Sequence, residues 1–571
     1  TSFRASSNNC ALAAWGALVY AFAVDSTTTT AIYINTSSDY GATWSGWSLL
    51  QTATGAVGYL AAAIKDTNTA LLLYSVGATV YSKKRSGGTW GAAAAWTNSV
   101  ASVTGLACLY SQDFNVAITG TDSLSDYKIW TTIYGDGYSQ AANTWSALRE
   151  VSRASAGSNV QFRAPFLAYP DVYRLTFVEK YTGSVAYSRP YLSFSPATAD
   201  YVNNLWHEPV PFNLASQYGL AIAFSSTAAW LTTPAGVWQA SLTTAALDVT
   251  ADVLEAATET EPTGGRLRLV LRNDDGRYNN PGTGANAVIK PGGELRLSLG
   301  YRTASGPLVS AGPTYWIEGW EHTSDQGKAT FVIHARDAWG LLEGWRSRRQ
   351  YAWAQGEKSV FQLLSFLLAR AGLESSSLGS TSSTLVNLYP SFTIHPSERG
   401  ATAVQRLLAM VPDVIFFREH HAYIKYPQAG DASDYSYGTD HAVLRGHYNS
   451  DRRQANRVQV FGEGYFAESF QWSDIEAAYD RVRQVDDLNL NTAALAQDRA
   501  DTELRRQDIA ATSGEIVVPT NCGQELYDVI SITDAPAGLA AAKRRLLGLG
   551  LRYSAGGGSP TYEQRLSLGA V

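Results

Sequence analysis

Charge is scarce in this chain: Asp, Glu, Lys and Arg make up 16% of 571 residues. So low a charge content disfavours long solvated helices, and a formal net charge of −6 without long like-charge runs excludes a general nucleic-acid-binding surface. The compact basic cluster Arg346, Arg348 and Arg349 reads as a solvated loop after a strand. No apolar run approaches the ~20 residues of a membrane helix, and no basic-then-apolar signal opens the chain. A soluble chain with no export signal and no stable membrane insertion is expected. It starts at Thr1 rather than methionine, which accommodates processing or a preceding segment. Cys10, Cys108 and Cys522 are too few and too far apart for a disulfide framework or a zinc site, and are expected to be buried free thiols.

Motifs that carry chemistry are also missing. There is no nucleophile elbow, phosphate-binding loop or zinc motif. His420 and His421 are adjacent, so on a strand they face opposite ways, and no third ligand follows at a metal spacing. Asn273-Asp274-Asp275-Gly276 lacks the alternation and the closing Glu of a calcium loop and reads as a plain turn. Gly282-Thr283-Gly284-Ala285-Asn286-Ala287 lies between Pro281 and Pro291 with no helix behind it, so it is not a dinucleotide loop. Asp248, Asp252 and Glu255 form no pair distinguishable from surface carboxylates. No catalytic residue, metal or cofactor is assigned.

What is present in quantity is 16 Trp, 32 Tyr and 49 Gly, the balance of short strands and tight turns. The length points to three to five domains. From Thr1 to Leu242 one cadence recurs. Apolar strands begin near Leu12, Leu60, Leu106, Phe166 and Leu220, and second apolar runs follow at Leu71–Tyr74, Val116–Ile118 and Leu175–Val178. Each unit closes on a Trp: Trp44, Trp90, Trp145, Trp206 and Trp238. That spacing predicts four-stranded propeller blades. The fifth unit is short, so residues Ser2 to Ser7 are expected to donate a strand and close a five-bladed ring, six blades being the alternative.

The first unit contains Ser37-Ser38-Asp39-Tyr40-Gly41-Ala42-Thr43-Trp44, which resembles the S-x-D-x-G-x-T-W Asp-box of sialidase-like propellers. Ser86-Gly87-Gly88-Thr89-Trp90 resembles a decayed copy. The resemblance implies a structural box of Ser37, Asp39, Gly41, Thr43 and Trp44: the carboxylate accepts turn amides, Gly41 supplies unusual backbone angles, and Trp44 packs between blades. Sialidase chemistry would need an arginine triad. Arg4, Arg85, Arg149, Arg153, Arg163, Arg174 and Arg189 do not recur at matching blade positions, and Phe162-Arg163-Ala164-Pro165 only echoes an F-R-x-P motif.

The second half turns on Gly265 to Tyr301. Leu267, Leu269 and Leu271 alternate with Arg266, Arg268 and Arg272, and Leu295, Leu297 and Leu299 alternate with Glu294, Arg296 and Ser298, giving two half-buried strands. The order strand, N-D-D-G-R-Y, loop, K-P-G-G-E-L-R-L-S-L-G-Y resembles the first barrel of bacteriophage tail hub proteins, the baseplate family. Trp316 to Trp320, Ala335 to Trp339 and Asn456 to Gly462 continue the resemblance over roughly the last 320 residues. Strands near Leu267–Leu271, Glu294–Tyr301, Tyr315–Trp320 and Ala329–Ala335 make the first barrel. Val360 to Leu368 then recur at helical spacing up to Gly372, and a second helix starts at Pro396-Ser397. The second barrel is expected to begin at Asn456. It is interrupted by a helix from Thr492 to Gln507, and Ala555 to Pro560 forms a flexible hairpin loop.

The expectation is thus mainly β: a propeller at 1–243, hub barrel 1 at 244–346, an α/β insertion at 347–451, and hub barrel 2 at 452–571. The resemblance implies a non-enzymatic virion protein of the tail tip, made in the host cytoplasm. It would form a homotrimer whose six barrel units cap a hexameric tail tube, with tube and tip proteins as partners and DNA as cargo through the lumen. The propeller would dock or bind a host-surface glycan. The alternatives are a secreted sialidase-like glycosidase and a non-catalytic carbohydrate-binding propeller.

Overall fold

The computed structural model describes residues 5–154, 160–169, 173–181, 187–195, 210–211, 221–224, 228–233, 236–241, 246–375, 380–556 and 560–571. The chain is mainly β and divides into two compact units, Thr1–Thr244 and Ala245–Val571.

In the first unit the recurring apolar runs become five successive antiparallel sheets. The first strands of these sheets are Ala5–Trp15, Val57–Ile64, Ser102–Ser111, Val160–Ala168 and Ala221–Phe224. In the first three sheets the strands follow each other in chain order, four to a sheet, as meanders with short turns do. The first strands of consecutive sheets lie side by side, so apolar residues of neighbouring sheets share cores. Phe22, Ile32, Leu60 and Leu72 fill one, and Leu71, Leu73, Val116 and Ile118 the next.

Three expectations change here. Residues Ala5 to Ser7 belong to the strand Ala5–Trp15, which pairs with Leu18–Asp25 in the first sheet. They therefore add no strand to the last sheet, which has three strands among the described residues; Ser2 to Arg4 lie outside those residues. Cys10 is exposed rather than buried. Trp44, in the turn leading to Ser48–Thr52, is 41% exposed. Trp90 and Trp145 do bridge sheets: Trp90 meets Phe22 at 5.8 Å edge-on, and Trp145 stacks on Trp96 at 4.1 Å. Trp206 and the Trp238 side chain lie outside the described residues.

The second unit is organised by one eleven-stranded sheet. Its first set of strands is β1 (Val253–Glu261), β2 (Gly264–Arg272), β3 (Glu294–Arg296), β4 (Thr314–Asp325) and β5 (Lys328–Arg336). Its second set is β6 (Arg445–Arg452), β7 (Thr512–Pro519), β8 (Val529–Asp534), β9 (Leu539–Ser554) and β10 (Thr561–Gly569), and the eleventh strand, Tyr435–Tyr437, pairs in parallel with β8. The first set is ordered β1-β2-β5-β4-β3 in space and the second β6-β7-β10-β9-β8, the same path twice. Each copy carries a β-bulge at the same step, between Ile317 and Gly319 on β4 and between Leu546 and Gly548 on β9. With the bulges aligned, the core positions coincide. Leu269, Leu271, Ile317, Ile333 and Ala335 in the first copy answer to Ile516, Val518, Leu546, Leu566 and Leu568 in the second.

The copies are hydrogen-bonded to each other through β1 and the distal half of β9, from Glu255 opposite Ser554 to Thr260 opposite Leu549. The sequence suggested two separate barrels; the ladder runs continuously across them. A second correction concerns Asn456, which does not open the second copy. Arg457–Phe461 lies in a separate small sheet with Phe466–Phe470 and Val482–Asp486. That sheet packs Val458, Val460 and Ala467 against Ala496 and Ala500 of the helix Ala493–Ile509. Its alternating pattern resembles that of a barrel strand, but both its partners are local. The second copy starts earlier, at Arg445, inside the stretch read as insertion.

Between the copies stands an α/β layer. Its helix Val360–Arg370 has a capping box of Ser359 and Gln362, and Gly372 follows at φ +85°. The helix Gly400–Leu408 packs beside it, and Val414–Arg418 and His421–Lys425 form a hairpin. Residues 557–559 of the expected Ala555–Pro560 loop lie outside the described residues.

Candidate functional site

Among the backbone edges of the continuous sheet that have no partner strand among the described residues, two occupy related places in the two copies. One is β6, which pairs only with β7. The other is the distal half of β4. Thr314 to Trp316 pair with β3, whereas Gly319 to Asp325 pair only with β5 on their other side. Residues 321–328 are exposed, as are Arg445, Gly446 and His447. Such edges offer rows of free N–H and C=O groups, the chemical basis of strand addition.

A cavity of about 400 Å³ lies between the sheet and the α/β layer, walled by Thr258, Thr260, Asp337, Phe417, Arg418 and Gln524 among others. Two of its ionisable walls serve structural contacts. Arg418 forms a bidentate ion pair with Glu525. Burial raises Asp337 to about 6, although the Gly265 and Trp339 amides donate to its carboxylate, the Trp339 bond capping the helix Ala338–Gly344. This is the chemistry of a structural joint.

The residues of the Asp-box form a closed turn. Thr43 donates to the Asp39 carboxylate from its amide at 2.8 Å and from its hydroxyl at 2.6 Å, and the Ser37 hydroxyl donates to it at 2.7 Å. The Gly41 amide donates to Ser37 Oγ at 2.8 Å, with Gly41 at φ +88°. The Thr43 hydroxyl and amide, then Ser37, hold the Asp39 pKa down at about 2. Another turn, not singled out from the sequence, ties two sheets together. Lys65 and Lys84 of the second sheet both reach Asp136 of the third, at 2.6 and 2.7 Å. The buried Asp113 beside it accepts from the amides of Asp136, Ser139 and Gln140. Loop carboxylates surrounded by Gly, Ser and Asn are the sequence signal for such turns.

Of the arginines weighed for sialidase chemistry, Arg4 and the Arg189 side chain lie outside the described residues, and three of the others make local contacts. Arg153 pairs with Glu150, Arg163 donates to Gln161, and Arg85 donates to the Thr67 carbonyl. His420 lies 2.9 Å from Glu294 and His421 3.5 Å from Glu374, so the adjacent imidazoles diverge. Asn273 accepts from the Tyr278 amide at 2.8 Å, and Asp274 accepts from the Ala329 amide at 2.9 Å, as in a turn. Arg346 donates to the Ser397 carbonyl. Among the described residues no group of three His, Cys, Asp or Glu is placed to hold a metal ion.

No protein-family model matches the chain, and no curated protein matches it. Among solved structures it is similar to a tail protein from Neisseria meningitidis MC58, at 13% identity and a TM-score of 0.41, over 56% of this chain and 92% of that one. A 43 kDa tail protein of prophage MuSo2 from Shewanella oneidensis shares 12% identity at a TM-score of 0.40, over 59% and 97%. Prophage tail protein gp18 from Listeria monocytogenes EGD-e shares 13% at 0.36, over 58% and 91%. All three TM-scores lie below 0.5, and the likenesses assign neither an activity nor a partner.

Proposed function

We propose that this chain is a structural protein of a phage tail tip or a related tail-derived particle, and that its second unit is the hub. The observation that carries the reading is the duplicated sheet, two copies of one strand path joined edge to edge within a chain. A hexameric tube that narrows to a threefold tip needs a layer compatible with both symmetries. Three chains with two copies each present six equivalent units. The tail-hub pattern of Gly265 to Tyr301 points the same way.

On this reading the protein is a homotrimeric virion component. It meets the tail tube and other tip proteins, and DNA passes through its lumen under weak, sequence-independent contact. The first unit is a propeller-like module held by the Ser37–Trp44 box, serving docking or host-surface glycan binding. It performs no catalysis.

The experiment is the symmetry of this layer in the intact particle by cryo-electron microscopy. Three copies around the axis are expected; six copies, or one on the axis, overturn the reading. Deleting 1–243 tests the first unit, since particles that still assemble and adsorb normally exclude a role in host binding. Turnover of a fluorogenic sialoside above background by the purified chain would overturn the non-enzymatic assignment.

A further inference from the structure

The internal joint between the two sheet copies predicts the joint between chains. In one chain the first strand of copy one, β1, lies against the distal half of the fourth strand of copy two, β9. The counterparts of those partners are the first strand of copy two, β6, and the distal half of the fourth strand of copy one, β4. Both are edges without a partner strand among the described residues. A repeating arrangement satisfied once inside the chain is left open at both its ends. The two open ends are complementary.

We infer that β6 of one chain adds to β4 of a second copy of this chain in the antiparallel register of the internal joint. The register follows from the ladders. His447 pairs with Glu515 as Ala257 pairs with Arg268, so His447 occupies the place of Ala257. Thr323 pairs with Thr330 as Arg552 pairs with Glu563, so Thr323 occupies the place of Arg552. Because Ala257 faces Arg552 inside the chain, His447 faces Thr323 across chains. The same transfer sets Arg445 opposite Asp325, Gly446 opposite Ser324 and Tyr448 opposite His322.

Two observations favour a second copy over another partner. Inside the chain the register sets Glu255 opposite Ser554, and between chains it sets a cation opposite an anion, Arg445 against Asp325. A register slip of one residue would break that match and turn every side chain to the other face. The joint is also heterologous, different surfaces meeting head to tail, which generates a ring when the rotation closes. The number of chains in that ring rests on the proposed hub; the joint does not.

The test is disulfide trapping in assembled particles. In a Cys10→Ser background, Thr323→Cys with His447→Cys should link chains into a covalent closed trimer under oxidation. Either single substitution should leave monomers on a denaturing gel, as should the off-register pair Ser324→Cys with His447→Cys. Efficient linkage by the off-register pair, or assembled rings with no linkage by either, overturns the joint. Linkage that closes at a number other than three upholds the joint and overturns the trimer. A threefold ring without linkage does the reverse. Should the cysteine variants fail to incorporate, the wild-type chain still decides. Amide exchange at residues 319–325 and 445–448 should slow at least tenfold on assembly, and unchanged exchange there refutes the joint. Arg445→Asp should block assembly, and Arg445→Asp with Asp325→Arg should restore it.

Discussion

The two copies of the sheet share a path, a bulge and a core face, yet they finish their cores differently. At one position the first copy has Phe331, fully buried and stacked on Tyr278 at 5.5 Å, and the second has Gln564, whose side-chain oxygen accepts from the Asn521 amide at 2.8 Å. At another the first copy has Trp316 edge-on to His420, and the second has Arg545. That guanidinium is fully buried, donates to the carbonyls of Gln428 and Tyr527 and lies 3.1 Å from Asp431. A strand path therefore survives exchange of an aromatic for an amide or a cation, provided each new polar group finds a partner.

The comparison breaks most sharply at Phe331. Phe331→Ala removes a stacked ring from a closed core and should cost about 3–5 kcal/mol of stability to chemical denaturation. Gln564→Ala, at the equivalent place, should cost about 1–2 kcal/mol, because the Asn521 amide loses one acceptor. Equal losses would mean that the two cores are not equivalent. Arg545→Ala stands between them. It leaves carbonyls and Asp431 without their donor, and an expected loss of about 3 kcal/mol is discounted from a fully buried pair because Asp431 is partly exposed.

Acid sharpens a second contrast. Burial raises Asp337, just after β5, and Asp528, just before β8, each to about 6. A carboxyl whose folded pKa lies above its unfolded value contributes stability that is fully present below about pH 4 and lost as pH rises through about 6. In the first unit the sign is opposite. Burial would raise Asp136, but hydrogen bonds and charge from Lys65 and Lys84 outweigh it and lower the pKa. Its contribution is present above the ordinary carboxylate range and is lost as pH falls below it. Between pH 7 and 4 each of these two groups should add on the order of 2 kcal/mol to the second unit, a contribution that Asp337→Asn removes for its own site, while Asp136 of the first unit holds until more acid conditions. Calorimetry of the full chain reads both, and parallel movement of the two units would contradict the assignment.

Much of this was legible locally. Leu12, Leu60, Leu106 and Phe166 marked strands, since alternation reports a pleated surface wherever the strand goes. Val360 to Leu368 marked the body of a helix by their spacing, and Gly372 its end, because caps satisfy orphan backbone groups. The continuous ladder was not legible. Glu255 meets Ser554 across most of the second unit, and periodicity tells which face a residue takes without naming the neighbouring strand. The duplication was hidden for a related reason: Ile for Leu preserves the core, but Gln for Phe and Arg for Trp erase the sequence signal. Asn456 misled because a local three-stranded sheet has the same alternation as a strand of the long one.

The smallest difference lies at the bulges, where both copies place a glycine. Gly319 and Gly548 each follow the skipped residue of a strand that must shift its pairing by one. Neither has a left-handed backbone, so any preference for glycine must come from space rather than from φ. A Cβ on Gly319 would meet no atom within 4 Å, whereas one on Gly548 would come within 3.1 Å of the Ser567 hydroxyl and 3.2 Å of its Cβ. In the second copy β10 and β1 flank that place on β9; in the first, β4 has β5 on one side and an open edge on the other. Gly319→Ala should therefore change the stability of the isolated chain by less than about 0.5 kcal/mol, and Gly548→Ala should cost about 1 kcal/mol as Ser567 moves aside. In the assembled ring the gap should narrow, because a second chain then flanks β4. Denaturation midpoints of both variants, free and assembled, test this, and a Gly319→Ala variant equally indifferent in both states would mean that nothing closes over that edge.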